Sequence, residues 1–361
     1  FTGVGTLQLV SLLRMRRFSS TALAAAALIA VSGCSSADVE APPAPADRLE
    51  FRAGPAQVTA GVPFDPPLQV VILRQDGSVD ATSTAVVSLV SQSATVVDTL
   101  RGPTSLAATG GVATFSGVSL SRVSTDTRLI ARTTGLTGAE SAPIRVVPGE
   151  PTQLVFLSQP DAAVAGQLLP AIRVQLRDIG GNRVTSASGP VAISISTGPS
   201  GASIDGTVTG DLTAGELSFT DIRLPRAGTG YTLTATLVGG VGVRSPVTRV
   251  FTTAPAAPSE LAFLTEPTAS TVGFPVTPAV RVAVLDGFGN LITAASTPVT
   301  LELAVATAGT QLTGPTTVGA ISGIATFSAL RVDRPSSTVR LRATAPGLNP
   351  AVSAVFAVGT P

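Results

Sequence analysis

The chain has 361 residues, enough for two or three domains of ordinary size, with 23 basic and 22 acidic side chains and no His. Every basic residue is Arg, Trp is absent, and Cys, Met and Tyr occur once each. This excludes imidazole chemistry, Lys Schiff bases, phosphate-loop lysines, internal disulfides and Cys-based zinc sites.

The N-terminal region reads as an address. Met15-Arg16-Arg17 is a short basic start, and the apolar run from Thr21 to Val31 has the length of a secretory h-region, too short to span a bilayer. Residues 1–14 precede Met15 and read as upstream sequence outside the protein. The run ends in Val31-Ser32-Gly33-Cys34, which resembles the lipobox of bacterial lipoprotein signal peptides. That resemblance implies cleavage of residues 15–33 and acylation of Cys34, the one Cys in the chain. Val31 stands where Leu is more usual. The alternatives are a plain secretory signal with a leftover thiol, or a short buried helix. Ser35 after the Cys is similar to lipoproteins sorted to an outer membrane, facing the periplasm or the exterior. With Arg14, Arg16 and Arg17 removed, 20 Arg face 22 acidic residues. No basic patch remains to mark a nucleic-acid partner. Residues 34–47, Ala- and Pro-rich, have too little apolar surface to fold and predict an extended tether.

Beyond the tether one unit is written three times. Leu49-Glu50-Phe51, Leu154-Val155-Phe156 and Leu261-Ala262-Phe263 are the same opening, and Gly111…Phe115, Gly215…Phe219 and Gly323…Phe327 the same later strand. Leu129-x-Ala131, Leu233-x-Ala235 and Leu341-x-Ala343 mark a third. The last strands are expected over 144–147, 247–251 and 352–358. Apolar residues alternate with period two, rich in Val, Thr, Ile and Phe and broken by Gly/Pro turns, which predicts half-buried strands. The fold class expected is all-β: three tandem antiparallel sandwiches over 48–148, 152–252 and 260–358. Each is large enough to hold its own core. The Leu and Phe of each opening and the later Phe are its large core anchors. Pro148 to Pro151 and Thr253 to Ser259 are the spacers.

Val174-Gln-Leu176-Arg-Asp178-Ile-Gly-Gly181-Asn182-Arg-Val184 and Val282-Ala-Val284-Leu-Asp286-Gly-Phe-Gly289-Asn290-Leu-Ile292 resemble the strand–turn–strand of bacterial Ig-like repeats, the invasin/intimin-type modules of surface proteins. The resemblance implies the fold over about 48–358 and says little of function. The first copy, Arg74-Gln75-Asp76-Gly77-Ser78, departs from the pattern and reads as one residue shorter.

Asp178/Asn182 and Asp286/Asn290 suit turns, in which Asp bonds backbone and Asn or Gly takes positive φ; as calcium ligands each loop brings one carboxylate where several are needed. Glu216 with Asp221, five apart, and Asp205 with Asp211 are the carboxyl pairs to weigh for glycoside hydrolysis, and read as solvated turn charges. Gly180-Gly181 and Gly239-Gly240 are turn glycines, since no helix follows to bind phosphate. Arg173, Arg177, Arg340 and Arg342 alternate with apolar residues as on a solvent-facing sheet, with a glycan contact as the sharper alternative. Tyr231 is placed to form a tyrosine corner. The function expected is a non-catalytic lipid-anchored envelope protein, needing no cofactor or metal, for adhesion or structural presentation. A carbohydrate- or polymer-binding module and an accessory subunit of an envelope enzyme complex are the alternatives.

Overall fold

The computed structural model describes residues 44–361 apart from Ala53 and Val241, within a unit that runs Pro45–Pro361. The lipobox residues Val31, Ser32, Gly33 and Cys34 lie outside the described residues. Every regular element described is a β-strand, and among the described residues no helix is long and apolar enough to cross a membrane.

The same sheet pair recurs three times. In the first, Ala46–Phe51, Leu68–Arg74 and Val112–Phe115 form one antiparallel sheet with Leu68–Arg74 in the middle. The other takes Gln57–Thr59, Ile144–Val147, Ser124–Arg132, Val86–Gln92 and Ser105–Ala107 in spatial order. The opening segment thus serves both sheets. Ala46–Phe51 pairs antiparallel in one, and Gln57–Thr59 pairs parallel with Ile144–Val147 in the other. Pro55, Pro160 and Pro267 stand just after the three opening strands, where a residue without N–H ends pairing and frees the chain to change sheets. The second sandwich repeats this with Pro151–Ser158, Ile172–Asp178 and Glu216–Phe219 against a five-stranded sheet, and the third with Pro258–Thr265, Val280–Asp286 and Ile324–Phe327. This is an all-β, Ig-like architecture: antiparallel sheets packed face to face, with the first strand shared.

Three separate apolar clusters fill the spaces between sheets. Alternation along the strands sends Leu129, Ala131, Leu233, Ala235, Leu341 and Ala343 fully inward. The later phenylalanines, Phe115, Phe219 and Phe327, are buried as expected, but Phe51, Phe156 and Phe263 are only partly covered. They share a face with the buried Leu two residues before, but Phe51 is the last residue of its strand, and Phe156 and Phe263 stand at a register shift two residues before theirs end. In the second sandwich the last strand is shifted later than the hydropathy pattern suggests, to Phe251–Ala254, and in the third the expected run is split into Ala351–Val352 and Phe356–Gly359. Polar hydroxyls account for the shift and the split: Thr248 Oγ1 and Ser353 Oγ accept the N–H of Leu233 and Leu341, which replaces ladder pairing at those points. Tyr231, fully buried, donates its hydroxyl to Arg226 C=O at 2.6 Å and stacks on Phe251, the corner geometry anticipated for it.

Candidate functional site

The two Asp-x-x-Gly-Asn turns lie at the joints between consecutive sandwiches, and their chemistry is turned across the joint. Asp178 ends the strand Ile172–Asp178 and Asn182 closes the turn, with Gly181 at φ +80°. Both polar side chains are buried, so each of their atoms needs a partner. Asp178 Oδ1 accepts the Asn182 N–H at 2.9 Å, and its Oδ2 accepts the N–H of Gly149 in the spacer at 2.9 Å. Asn182 Nδ2 donates to both Asp178 oxygens and reaches 61 residues back to Ser121 C=O at 2.7 Å, while its Oδ1 accepts the Val123 N–H at 3.1 Å. Gly180 lets the Ser121 carbonyl approach: a Cβ there would stand 2.8 Å from that oxygen.

The second joint repeats the set nearly atom for atom. Asp286 Oδ2 accepts the Ala256 N–H of the spacer at 2.8 Å, Asn290 Nδ2 donates to Pro225 C=O at 2.8 Å, and Asn290 Oδ1 accepts the Ala227 N–H at 2.9 Å. Burial alone would raise the Asp286 carboxyl, but bonds from Asn290, from the Ala256 N–H and from the Phe288 N–H outweigh it and hold the group below its ordinary value. Apolar contact supplements the polar clasp. The Phe288 ring covers Gly166 so closely that no Cβ fits there, and Gly166 has a φ of +71°. Beside the first joint a groove of about 780 Å³ is lined by Gly61, Val62, Pro148, Ile179 and Ala187 among others.

These pairs therefore serve as turns, and also as something the sequence did not disclose: ties between neighbouring sandwiches. Their carboxylate and amide atoms are spent on backbone, which leaves little for a cation. Among the described residues no group of three acidic or thiol side chains converges. The first-copy turn needs correction. Arg74 N–H donates to Ser78 C=O and Gly77 N–H to Arg74 C=O, the bonds that Asp178, Asn182 and Gly181 make, so the turn is equal in length and differs only in side chains.

The other weighed carboxyls are held apart in function. Asp221 accepts the Thr207 N–H and hydroxyl, and the hydroxyl leads the bonds that lower its carboxyl against partial desolvation. Glu216 lies one strand-turn earlier, bonded to Gln175, Arg173 and Arg183. It shares a shallow groove with Asp211, a neighbour the spacing did not single out. Gln175 leads the groups that hold Glu216 below its ordinary value, so it is ionised at neutral pH, the opposite of what a general acid requires. Asp205 N–H and C=O pair with Arg223 in a short bridge. Arg173, Arg340 and Arg342 are exposed and Arg177 half-buried along the strands. Arg342 pairs with Glu302 and Arg177 with Gln175.

No family model and no curated protein matches the chain in sequence. Among solved structures it is similar to FdeC, an Escherichia coli adhesin, at 14% identity and TM-score 0.33 over 88% of this chain and 99% of that one. It is similar to invasin, a bacterial integrin-binding protein, at 12% and 0.31 over 86% and 60%. A β-glycosidase from Bacteroides vulgatus is matched at 13% and 0.27 over 58% and 25%. The chain's own strand pairing, with its shared first strand and three separate cores, makes it a tandem of Ig-like sandwiches.

Proposed function

We propose that this chain is a non-catalytic spacer of the cell envelope, three autonomously folding Ig-like sandwiches joined at set angles and anchored by lipid at Cys34, which serves adhesion or structural presentation. The observation that carries this reading is the repeated clasp. A flexible tether would leave its spacers to water, whereas here a buried Asp ties each spacer and a buried Asn ties the preceding sandwich. Buried, fully satisfied polar networks fix geometry, since any other arrangement strands their donors and acceptors. The carboxyls with resolved shifts, Asp76, Asp80, Asp126, Glu216, Asp221 and Asp286, are all lowered, which suits anchoring of turns and not proton transfer.

Two measurements test the parts separately. Metabolic palmitate labelling of the full chain should vanish in Cys34→Ser; labelling that survives removes the anchor. Small-angle scattering of the Asn182→Ala/Asn290→Ala variant should show a broader range of sizes than the parent protein. An unchanged profile would mean that the joints are not held by these side chains.

A further inference from the structure

The clasp has two complementary halves, and the first and third sandwiches each lack one. The head half is the Asp-x-x-Gly-Asn turn. The tail half is a loop that offers one C=O and, two residues on, one N–H: Ser121 and Val123 in the first sandwich, Pro225 and Ala227 in the second. Register between the tails is given by a bond they share, from Gly61 N–H to Leu120 C=O, from Gly166 to Leu224 and from Gly273 to Val332. The residues after Leu120, Leu224 and Val332 are therefore equivalent.

By that register the tail of the third sandwich reads Asp333-Arg334-Pro335. Pro335 stands where Val123 and Ala227 donate to the Asn side chain, and proline has no N–H to donate. The head of the first sandwich keeps the turn backbone but carries Arg74 for Asp and Ser78 for Asn. The Arg74 guanidinium is committed to Asp80 of its own sandwich at 2.7 Å.

We infer that Pro335 in the third sandwich and Arg74 with Ser78 in the first disable the clasp, so that the tail of the third sandwich rejects the partner its two sister tails hold, an Ig-like sandwich bearing an Asp-x-x-Gly-Asn turn. A tail that accepts such a head is one half of a head-to-tail interface, the kind that propagates without closure when both ends are competent. A missing N–H is an effective rejecting element, because the incoming Asn oxygen would be desolvated against a ring with no donor. This inference rests on the clasp reading of the joints, and its experiment separates the two.

A second copy of residues 255–359 is appended after Gly359. This is the position equivalent to Ala254, since Ala165 N–H bonds Ala254 C=O as Val272 N–H bonds Gly359 C=O. The full chain, with Cys34→Ser, is spin-labelled in pairs across the existing second joint and across the added joint, and distance distributions are measured by pulsed electron resonance. The added joint should give a broad distribution and the second joint a narrow one, and Pro335→Ala should narrow the added joint. A narrow added joint with Pro335 present, or one that stays broad in Pro335→Ala, overturns Pro335 as the rejecting element. Ala227→Pro at the second joint is the independent check. It should broaden that joint, and if it does not, the clasp reading itself falls.

Discussion

Replacing Asn290 by Ala removes four side-chain hydrogen bonds at once: to Pro225 C=O, from Ala227 N–H, and to both oxygens of Asp286. A neutral bond contributes about 1 kcal/mol net and one to a charged acceptor about 1.5–3. Truncation lets some water reach the freed groups, so the expected loss is about 2–4 kcal/mol for the coupled second and third sandwiches. Asn290→Asp is the sharper perturbation. It keeps an acceptor for Ala227 N–H but sets a second carboxylate against Asp286, where the amide nitrogen now lies 2.9–3.1 Å from both oxygens. Two carboxylates that close raise each other's affinity for a proton. The Asp variant should therefore be less stable than the Ala variant at pH 7 and recover part of the difference as the pH falls below about 5. The protein carries its own local probe: Tyr231, the one Tyr, is buried in the second sandwich and no Trp competes. Urea unfolding followed by Tyr fluorescence reports the second sandwich, and circular dichroism reports all three. An Ala variant within 0.5 kcal/mol of the parent, or Ala and Asp variants that behave alike at pH 7, would refute the reasoning.

Other outcomes follow from single residues. Gln159 Oε1 accepts the Arg249 N–H and Glu266 Oε2 the Ala354 N–H, bridging the sheet edges of the second and third sandwiches; the equivalent residue in the first is Gly54, beside a gap of about 240 Å³ lined by Leu49, Phe51, Leu68, Ala142 and Ile144. Gly54→Gln should plug that edge and raise first-sandwich stability by about 1 kcal/mol in thermal unfolding, and a lower midpoint would contradict the equivalence. Tyr231→Phe removes the bond to Arg226 C=O without altering the packing on Phe251, and should cost about 1–2 kcal/mol by urea denaturation. The Asp286 carboxyl is lowered in the folded chain, so the stability it contributes is present above the unfolded value near 4 and is lost as pH falls through the folded one. The acid limb of the stability–pH curve should be shallower in Asp286→Asn than in the parent, and parallel limbs would argue against a role for the ionised group.

Much of the architecture was legible because it is local and repeated. Leu233-x-Ala235 and Leu341-x-Ala343 alternate with polar neighbours, as a strand packed on one face favours, and Leu129-x-Ala131 keeps the same inward pair around Ile130. The later Phe residues announced themselves in the same way. The partly exposed Phe51, Phe156 and Phe263 did not, since their exposure depends on where the chain leaves one sheet for the other. The equal length of the Arg74–Ser78 turn was also obscured, because Asp and Asn are missing from its two ends while the turn itself is held by backbone groups.

The joint belongs to tertiary structure. Asp178 and Asn182 have the composition of an ordinary hairpin turn, and that is what they form locally. Their second role depends on Ser121 and Val123, which contribute a carbonyl and an amide from about 60 positions away. A carbonyl and an amide N–H are common to every residue but proline, so no side-chain pattern pairs them. Strand periodicity and three cores follow from side chains alone, because burial of apolar surface is a property of residue type and spacing. Which buried polar atom meets which carbonyl is decided only when two sandwiches are brought together, since a hydrogen bond is satisfied by position and not by composition.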